Sequence, residues 1–228
     1  MVLRGSGSRG HRPPATARVT RRPRLLRGEK LPPQPRQERS LERRRRLMAA
    51  GLILFGKKGY GAASVDEIAA RAKLPVGTFY QHFRSKRQLL LALMDELLEH
   101  LSRLDLRPQP GGDPRAGLRA LLAGAFSADL RYLGAYRAWE EAALSDSGLA
   151  RQQQKIHAWT TGRVANVLRL LGQLPGARTG VDIPGLARVL DSMFWSLLAQ
   201  ALQLPKSEID QWLDAATHLI YHAMLGER

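Results

Sequence analysis

The 228-residue sequence contains no cysteine, so neither a disulfide framework nor a thiolate metal site is possible. Its apolar runs are too short to span a membrane, and no apolar stretch near the N-terminus could form the core of a signal peptide. Sustained alternation of apolar and polar residues, which is typical of strands, is also missing. We therefore expect an all-α, soluble, cytoplasmic protein without membrane contacts.

Acidic residues are scarce in the front half of the chain. Residues 1–37 contain ten Lys or Arg against one acid, residues 38–102 contain twelve against seven, and residues 103–228 contain fourteen against twelve. The net charge of +16 is thus distributed as +9, +5 and +2. This asymmetry indicates that the front half meets nucleic acid or another anionic surface, while the back half has a different role.

The first 37 residues contain six of the thirteen prolines and few large apolar side chains. Such a composition cannot bury a core, so we predict a disordered, basic, Pro/Arg-rich tail over residues 1–37. Two interpretations of this tail stay open. It is either an arm that grips DNA without sequence preference or a solvated extension.

Helical periodicity begins at Glu38 and predicts a first domain over residues 38–103. Its four predicted helices have recognisable ends: Ser40–Lys58 ended by Gly59, a short helix from the capping box Ser64/Glu67 to Ala72, a third beginning near Pro75, and a fourth from the capping box Ser85/Gln88 through Leu101.

The Pro/Gly-rich stretch at 107–114 predicts a domain boundary, after which a second domain covers residues 114–228. Five further helices are predicted there, at about Pro114–Asp129, Leu130–Ser145, Gly148–Leu171, Asp182–Leu204 and Ser207–Leu225. The fourth of these is apolar nearly all round, and the last has a clear apolar stripe that includes Trp212 and Ile220. We therefore predict a homodimer formed through the last two helices.

The two short helices that meet between Ser64 and Phe83 form a predicted helix-turn-helix, whose second helix is basic and hydroxyl-bearing. The stretch GYGAASVDEIAARAKLPVGTFYQHFRSKRQLLLAL, starting at Gly59, resembles the DNA-binding region of TetR-type (tetracycline-repressor-like) bacterial transcription regulators. The resemblance implies a three-helix DNA-binding domain, a connecting fourth helix, and a C-terminal domain that dimerises and often binds a small effector. It implies no cofactor.

The chemistry of this stretch suggests which side chains contact a double-stranded DNA operator. Gly77 allows a close approach of the backbone, and the candidates for phosphate contacts are Ser64, Thr78, Tyr80, His82 and Lys86. The candidates for base contacts are Lys73, Val76 and Gln81. Two positions depart from the family pattern: Lys73 stands where glycine is common in the turn, and Pro75 stands where a serine cap is common. A non-glycine residue in the turn predicts mild backbone strain.

A small-molecule effector site is predicted among the aromatic residues of the back half. Its candidate residues are Phe126, Tyr136, Trp139, Trp159, Asp191 and Trp195. At helical spacing the same aromatics also fit an ordinary core, and the second domain would then bind a partner protein with no small ligand. Asp191 either pairs with a neighbouring helix or orients a cationic or hydrogen-bonding effector.

Signals for catalysis are absent from the sequence. There is no nucleophile motif and no phosphate-binding loop, and adjacent Glu140 and Glu141 point about 100° apart on a helix, so they do not face each other. His218 and His222 share a helix face but lack an accompanying acid, so we predict an interface pair and no metal site.

Overall fold

The computed structural model describes residues 21–33, 37–105, 112–201 and 204–225, with the backbone alone at 128 and 129. Within these ranges the protein is all-α, apart from one isolated bridge that pairs Ala177 with Leu225. Nine helices are described, namely α1 Glu38–Ala62, α2 Val65–Arg71, α3 Val76–His82, α4 Lys86–Ser102, α5 Pro114–Arg131, α6 Leu133–Ala143, α7 Ser147–Leu171, α8 Ile183–Gln200 and α9 Lys206–Met224. None of them is long and apolar enough to cross a membrane.

The two helix starts that were predicted from capping boxes, at Ser64 and Ser85, both have the serine as the cap. The Oγ of Ser64 accepts a hydrogen bond from the backbone N–H of Glu67 (3.1 Å), and the Glu67 carboxylate accepts one from the N–H of Ser64 (3.2 Å), so this capping box is confirmed. At α4 the Oγ of Ser85 accepts from the N–H of Gln88 (3.3 Å), but the Gln88 amide oxygen accepts from Arg84, one residue before the cap. The second cap is therefore only half of a capping box.

Helix α1 is interrupted at Gly59, as the sequence predicts, and one more turn follows. Gly59 has φ +80°, a conformation that strains other residues. A carboxylate from α6 fills the break: Glu141 accepts hydrogen bonds from the N–H groups of Tyr60 (2.6 Å) and Gly61 (2.8 Å). A side chain at position 59 would collide with this carboxylate, so glycine is needed here for space as well as for conformation.

The helices after α4 pack in pairs, α7 with α8 and α5 with α9, while α6 lies against α1. One cluster of buried side chains extends from Leu25 and Phe55 through Leu97 to Trp139 and Trp195, so it belongs to both halves of the chain. A smaller cluster lies between α7, α8 and α9. The division into domains at 38–103 and 114–228 stays a prediction, because the larger core is continuous across it.

The contact between α1 and α6 depends on two glycines that face each other. A Cβ atom on Gly134 would lie 2.2 Å from the carbonyl oxygen of Leu52 and 3.0 Å from the Cα of Gly56. These neighbours are backbone atoms, which cannot rotate away as a flexible side chain can. The small size of both residues therefore sets the distance between the two helices.

The predicted disorder of residues 1–37 does not hold for residues 21–33, and residue 37 is the N-cap of α1. The rest of that prediction falls on residues 1–20 and 34–36, outside the described residues. Leu25 is 1% exposed within the larger core. Arg22 forms ion pairs with Asp95 (2.9 Å) and Glu99 (2.8 Å) of α4. Composition misled the prediction because a single leucine, held by ion pairs on a neighbouring helix, is enough to anchor a short segment.

Candidate nucleic-acid interface and internal cavity

Helix α3 buries one side and exposes the other. Phe79 and Phe83 are fully buried, whereas Tyr80 is 52% exposed and Gln81 and Gly77 are also exposed. A Cβ atom on Gly77 would meet nothing within 4 Å. The outer face of α3 thus offers a phenol hydroxyl, an amide and a stretch of open backbone. Phosphates and base edges are recognised by such groups.

The turn between α2 and α3 contains the strained residue that the sequence predicts. Lys73 has φ +54°, in the left-handed region that favours glycine. The guanidinium of Arg46 donates to the carbonyl oxygens of Ala72 and Lys73, the latter at 3.0 Å. These bonds from α1 hold the turn in place, so the exposed Lys73 ammonium lies beside the start of α3, where Val76 is half-buried.

Ser64 keeps a position compatible with its predicted role at the N-terminus of α2. Its oxygen serves as the helix cap, and its side chain is half-buried. A hydroxyl that accepts a bond as a cap still has its own proton to donate. A phosphate contact from Ser64 therefore stays a prediction.

Lys86 lies at the start of α4 but faces inward. Its Nζ donates to the carbonyl oxygens of Tyr60 (2.7 Å), Gly61 (3.0 Å) and Ala63 (3.2 Å), and it sits 4.6 Å from the centre of the Tyr60 ring. An ammonium group has three protons, and here all three have acceptors. The structure thus corrects the predicted phosphate contact: Lys86 fastens α4 to the end of α1.

His82 and Thr78 are also buried, which corrects their predicted phosphate contacts. His82 is 4% exposed, and neither of its ring nitrogens has a hydrogen-bond partner among the described residues. Thr78 is 8% exposed. Side chains on a seven-residue helix alternate between core and surface by the helical period, and these two fall on the inner side with Phe79.

Two exposed arginines lie near α3 and were missed from the sequence. Arg84 directly follows α3, and Arg43 on α1 is near enough to His82 to affect its pKa. Their positive charge was visible in the sequence, but their position beside α3 depends on how α1 crosses it. Both cations fit phosphate contacts better than the buried histidine does.

A cavity of about 160 Å³ lies in the back half of the molecule, between α4, α5, α7, α8 and α9. Four of the six predicted effector residues line it, namely Phe126, Trp159, Asp191 and Trp195. The other two do not. Tyr136 stacks on the far side of Trp195, with ring centres 4.7 Å apart, and Trp139 is a core residue that is 1% exposed.

The apolar stripe of the last helix faces this cavity. Trp212 and Ile220, on which the dimer prediction relied, both line it, and Ile220 is 6% exposed. Trp212 is half-buried and keeps some exposed surface, whereas Ile220 leaves little for a second copy of the chain. The use of these two side chains at a dimer interface stays a prediction.

The polar groups of the cavity come from α7 and α8. Asp191 is 5% exposed; its carboxylate accepts a hydrogen bond from Thr161 (2.9 Å) and lies 3.8 Å from Nδ1 of His157. Arg163, which sequence reasoning missed, lies over the Trp159 ring at 5.1 Å and lines the cavity. Burial lowers the pKa of its guanidinium.

Comparison with known proteins identifies the front half. The family model described as bacterial regulatory proteins, tetR family, matches residues 47–93, which include α2 and α3. The match to the tetR family thus covers the helix-turn-helix region of this chain. The matched region includes the two short helices α2 and α3 and the turn between them, which are the predicted helix-turn-helix.

Curated tetR-type relatives match this chain over different lengths. The transposon Tn10 TetC protein of Escherichia coli is 46% identical over 52 residues, 23% of this chain and 26% of TetC. The transcriptional repressor KstR of Rhodococcus jostii is 35% identical over 82 residues, 36% of this chain and 38% of KstR. The regulator TtgR of Pseudomonas putida is 27% identical over 202 residues, 81% of this chain and 94% of TtgR. The chain thus spans about a quarter of TetC, less than two fifths of KstR and nearly all of TtgR.

Solved structures share the fold over about four fifths of this chain. The SmeT–triclosan complex superposes with a TM-score of 0.63 at 22% identity, covering 81% of this chain and 92% of SmeT. A gamma-butyrolactone receptor superposes with a TM-score of 0.65 at 19% identity, covering 82% of this chain and 90% of the receptor. These likenesses establish the arrangement of the helices and leave the ligand of this chain open.

The cavity is physically connected to α1 and α4 in the front half of the chain. Leu101, near the end of α4, lines the cavity, while Lys86 at the start of the same helix holds the end of α1. A second connection runs through α6, where Tyr136 stacks on Trp195 and Glu141 holds the break in α1. Neighbouring Glu140 has a separate partner, the hydroxyl of Tyr136 (2.8 Å), so the two carboxylates do not share a site.

The histidines of α9 do not form a metal site with the groups that the structure describes. The rings of His218 and His222 have centres 4.2 Å apart. Over the described ranges, no group of three or more His, Asp or Glu side chains could hold a metal ion.

Buried His82 predicts a loss of stability in mild acid. Burial first, and the charges of Arg44 and Arg43 second, lower the pKa of His82 in the folded protein. The unfolded chain, with a histidine pKa near 6.5, then binds the proton more readily as pH falls, so the His82 contribution to the free energy of unfolding declines below about pH 6.5. Urea denaturation at pH 7.5 and 5.5 should show a smaller loss of unfolding free energy on acidification in His82→Leu than in the wild type.

His218→Leu is the control, because His218 is exposed. It should lose as much unfolding free energy as the wild type does between the two pH values. Equal losses in all three proteins would contradict the role of buried His82.

Proposed function

We propose that the protein is a cytoplasmic transcriptional repressor that binds a roughly palindromic operator as a homodimer and is released from it by a small molecule in the cavity. The exposed outer face of α3 carries the first part of this proposal. The open surface at Gly77, the exposed Tyr80 and Gln81, and the cations Lys73 and Arg84 lie on one short helix or beside it. Such a helix fits the major groove, with the cations on the flanking phosphates.

A dimer is supported by large apolar side chains that remain exposed on the last two helices. Val189 on α8 is 64% exposed and Leu219 on α9 is 49% exposed. These exposed faces adjoin the cavity wall, since Leu190 and Ile220, the next residues along each helix, line it. A twofold interface through these faces would pair the same helices as the sequence prediction, with Val189 and Leu219 in place of Trp212 and Ile220. Two copies of α3 would then read related half-sites.

The connections from the cavity to the DNA-binding helices support effector control. A ligand that enlarges the cavity would displace Leu101 and the Trp195–Tyr136 stack, which lie at the far ends of α4 and α6. Both helices hold the end of α1 through Lys86 and Glu141. Release requires that the ligand bind the arrangement that does not fit DNA more tightly, and a hundredfold preference corresponds to about 2.7 kcal/mol.

The DNA-binding face is tested by substitutions that separate phosphate contacts from base contacts. An operator selected from random duplexes should bind Lys73→Ala and Arg84→Ala more weakly than the wild type. Each substitution removes one phosphate contact, so the slope of log affinity against log salt concentration should become shallower by about one unit. Gln81→Ala should instead change the preferred base pair, at a cost of about 1–3 kcal/mol against the original operator. Fluorescence anisotropy titrations at several salt concentrations measure both effects.

Arg169→Ala is the matched control, because Arg169 is exposed on α7, away from α3. It should leave affinity and salt dependence unchanged. Normal operator binding by both Lys73→Ala and Gln81→Ala would mean that α3 does not read DNA. A partner protein that displaces DNA in the absence of any small ligand would favour the alternative role of the second domain.

A further inference from the structure

The cavity contains hydrogen-bond donors that lack an acceptor. Arg163 has no carboxylate or carbonyl partner within the described ranges, although burial removes part of its hydration. Nε1 of Trp195, a residue that is 6% exposed, is also buried without a partner among the described residues. A buried donor that is left unpaired costs free energy, and an unpaired charge costs more.

Two other polar side chains of the cavity wall have partners within the protein. The hydroxyl of Thr160 donates within its own helix, to the carbonyl oxygens of Ile156 (3.2 Å) and His157 (3.1 Å). The Asp191 carboxylate has the Thr161 hydroxyl as donor and His157 beside it. The unmet requirement is therefore for an acceptor, which is the opposite of what Asp191 suggests when the sequence is considered alone.

We propose that the cavity binds an apolar molecule that carries a carboxylate, with the guanidinium of Arg163 as the group that holds the anion. This inference rests on the proposed effector role of the cavity and names the class of ligand. Trp159 supports the assignment, because it holds the guanidinium 5.1 Å above its ring and so limits its orientation. A planar guanidinium binds a carboxylate through two parallel hydrogen bonds.

The rest of the wall determines the apolar part of the ligand. The remaining lining residues are mainly leucine, valine and aromatic side chains, including Leu118, Leu190, Met193 and Phe194. The volume of about 160 Å³ is close to that of an apolar cavity of about 150 Å³ that accommodates benzene. A single ring with a short acid chain is therefore a suitable probe.

The experiment compares three probes that share one apolar tail: 3-phenylpropionate, 3-phenylpropanol and 3-phenylpropylamine. Binding to the full chain without DNA is followed by isothermal calorimetry and by the fluorescence of Trp159, Trp195 and Trp212, which line the cavity. We expect the acid to bind at least tenfold more tightly than the alcohol, and the amine to bind more weakly than both. A hydrogen bond to a charged group has this magnitude.

Variants assign the preference to a residue. Arg163→Met keeps an apolar side chain of similar length and should abolish the preference for the acid over the alcohol while it still binds the alcohol. Arg169→Met, an exposed position on the same helix, should behave as wild type. Asp191→Asn should bind the acid as well as wild type does or better, since the change removes a negative charge from the wall.

Each outcome decides the inference. Equal binding of acid and alcohol by the wild type, a preference that survives in Arg163→Met, or no binding of the acid would overturn it. Operator titration with the bound probe tests the proposed function separately. If the acid binds through Arg163 without affecting operator affinity, the proposed release of DNA by a cavity ligand is wrong, and the proposed carboxylate class of the ligand is kept. If the amine or the alcohol releases DNA and the acid does not, the proposed carboxylate class is wrong, and the proposed release of DNA by a cavity ligand is kept.

Discussion

Replacing Gly134 by alanine is expected to lower the free energy of unfolding by about 3 kcal/mol, the upper end of the usual cost of overpacking. The added methyl group would lie 2.2 Å from the carbonyl oxygen of Leu52 and 2.8 Å from the backbone nitrogen of Gly56. Because these are backbone atoms, α6 must move away from α1 to admit it. Urea denaturation of the purified variant measures the loss, and near-ultraviolet circular dichroism reports the disturbed packing of Trp139 on α6.

The control for this substitution is Gly124→Ala. Gly124 lies inside α5, and a Cβ atom there would meet nothing within 4 Å. Alanine should therefore stabilise the protein by about 0.5–1 kcal/mol, which is the difference in helix propensity between the two residues. If Gly134→Ala unfolds like the wild type, the two glycines do not set the distance between α1 and α6.

Truncation of Leu25 to alanine is expected to destabilise the protein by about 2–4 kcal/mol, as is usual for a leucine in a core. Leu25 is 1% exposed although it lies outside every helix, and its backbone N–H donates to Asp95 of α4 (3.0 Å). The melting temperature should fall by about 2–4 °C for each kcal/mol lost. Differential scanning calorimetry provides this measurement.

Leu41→Ala is the matched control, since Leu41 is 41% exposed at the start of α1. It should change the melting temperature little. If residues 1–37 were a disordered tail, as their composition predicts, Leu25→Ala should also leave the melting temperature unchanged. A Leu25→Ala variant that melts with the wild type would restore that prediction for residues 21–33.

Features that depend on neighbouring residues were predicted well from the sequence. The Ser64 cap, the break at Gly59 and the strained turn at Lys73 are each determined within about four residues. Periodicity over a whole helix also placed Phe79 and Phe83 in the core. These features need no knowledge of which helices meet.

Features that depend on distant partners were missed. Arg22 cannot be assigned to Asp95 from the sequence, because 73 residues separate them. Lys86 has the charge and helix position of a phosphate ligand, and only the path of α1 shows that its three acceptors lie inside the protein. Likewise, an aromatic stripe on a helix does not reveal whether it lines a cavity, as Trp159 does, or fills a core, as Trp139 does.

The break in α1 at Gly59 gives the molecule a built-in reporter. Amide hydrogens at a helix interruption ordinarily exchange quickly with solvent deuterium, because they lack partners within the helix. Here the amides of Tyr60 and Gly61 are held by Glu141 of α6. Their exchange therefore requires the Glu141 carboxylate to leave both amides, and a movement of α6 away from α1 produces this. Any ligand that moves α6 will change the deuterium uptake of this one short peptide, even when the DNA sequence recognised by the protein is unknown.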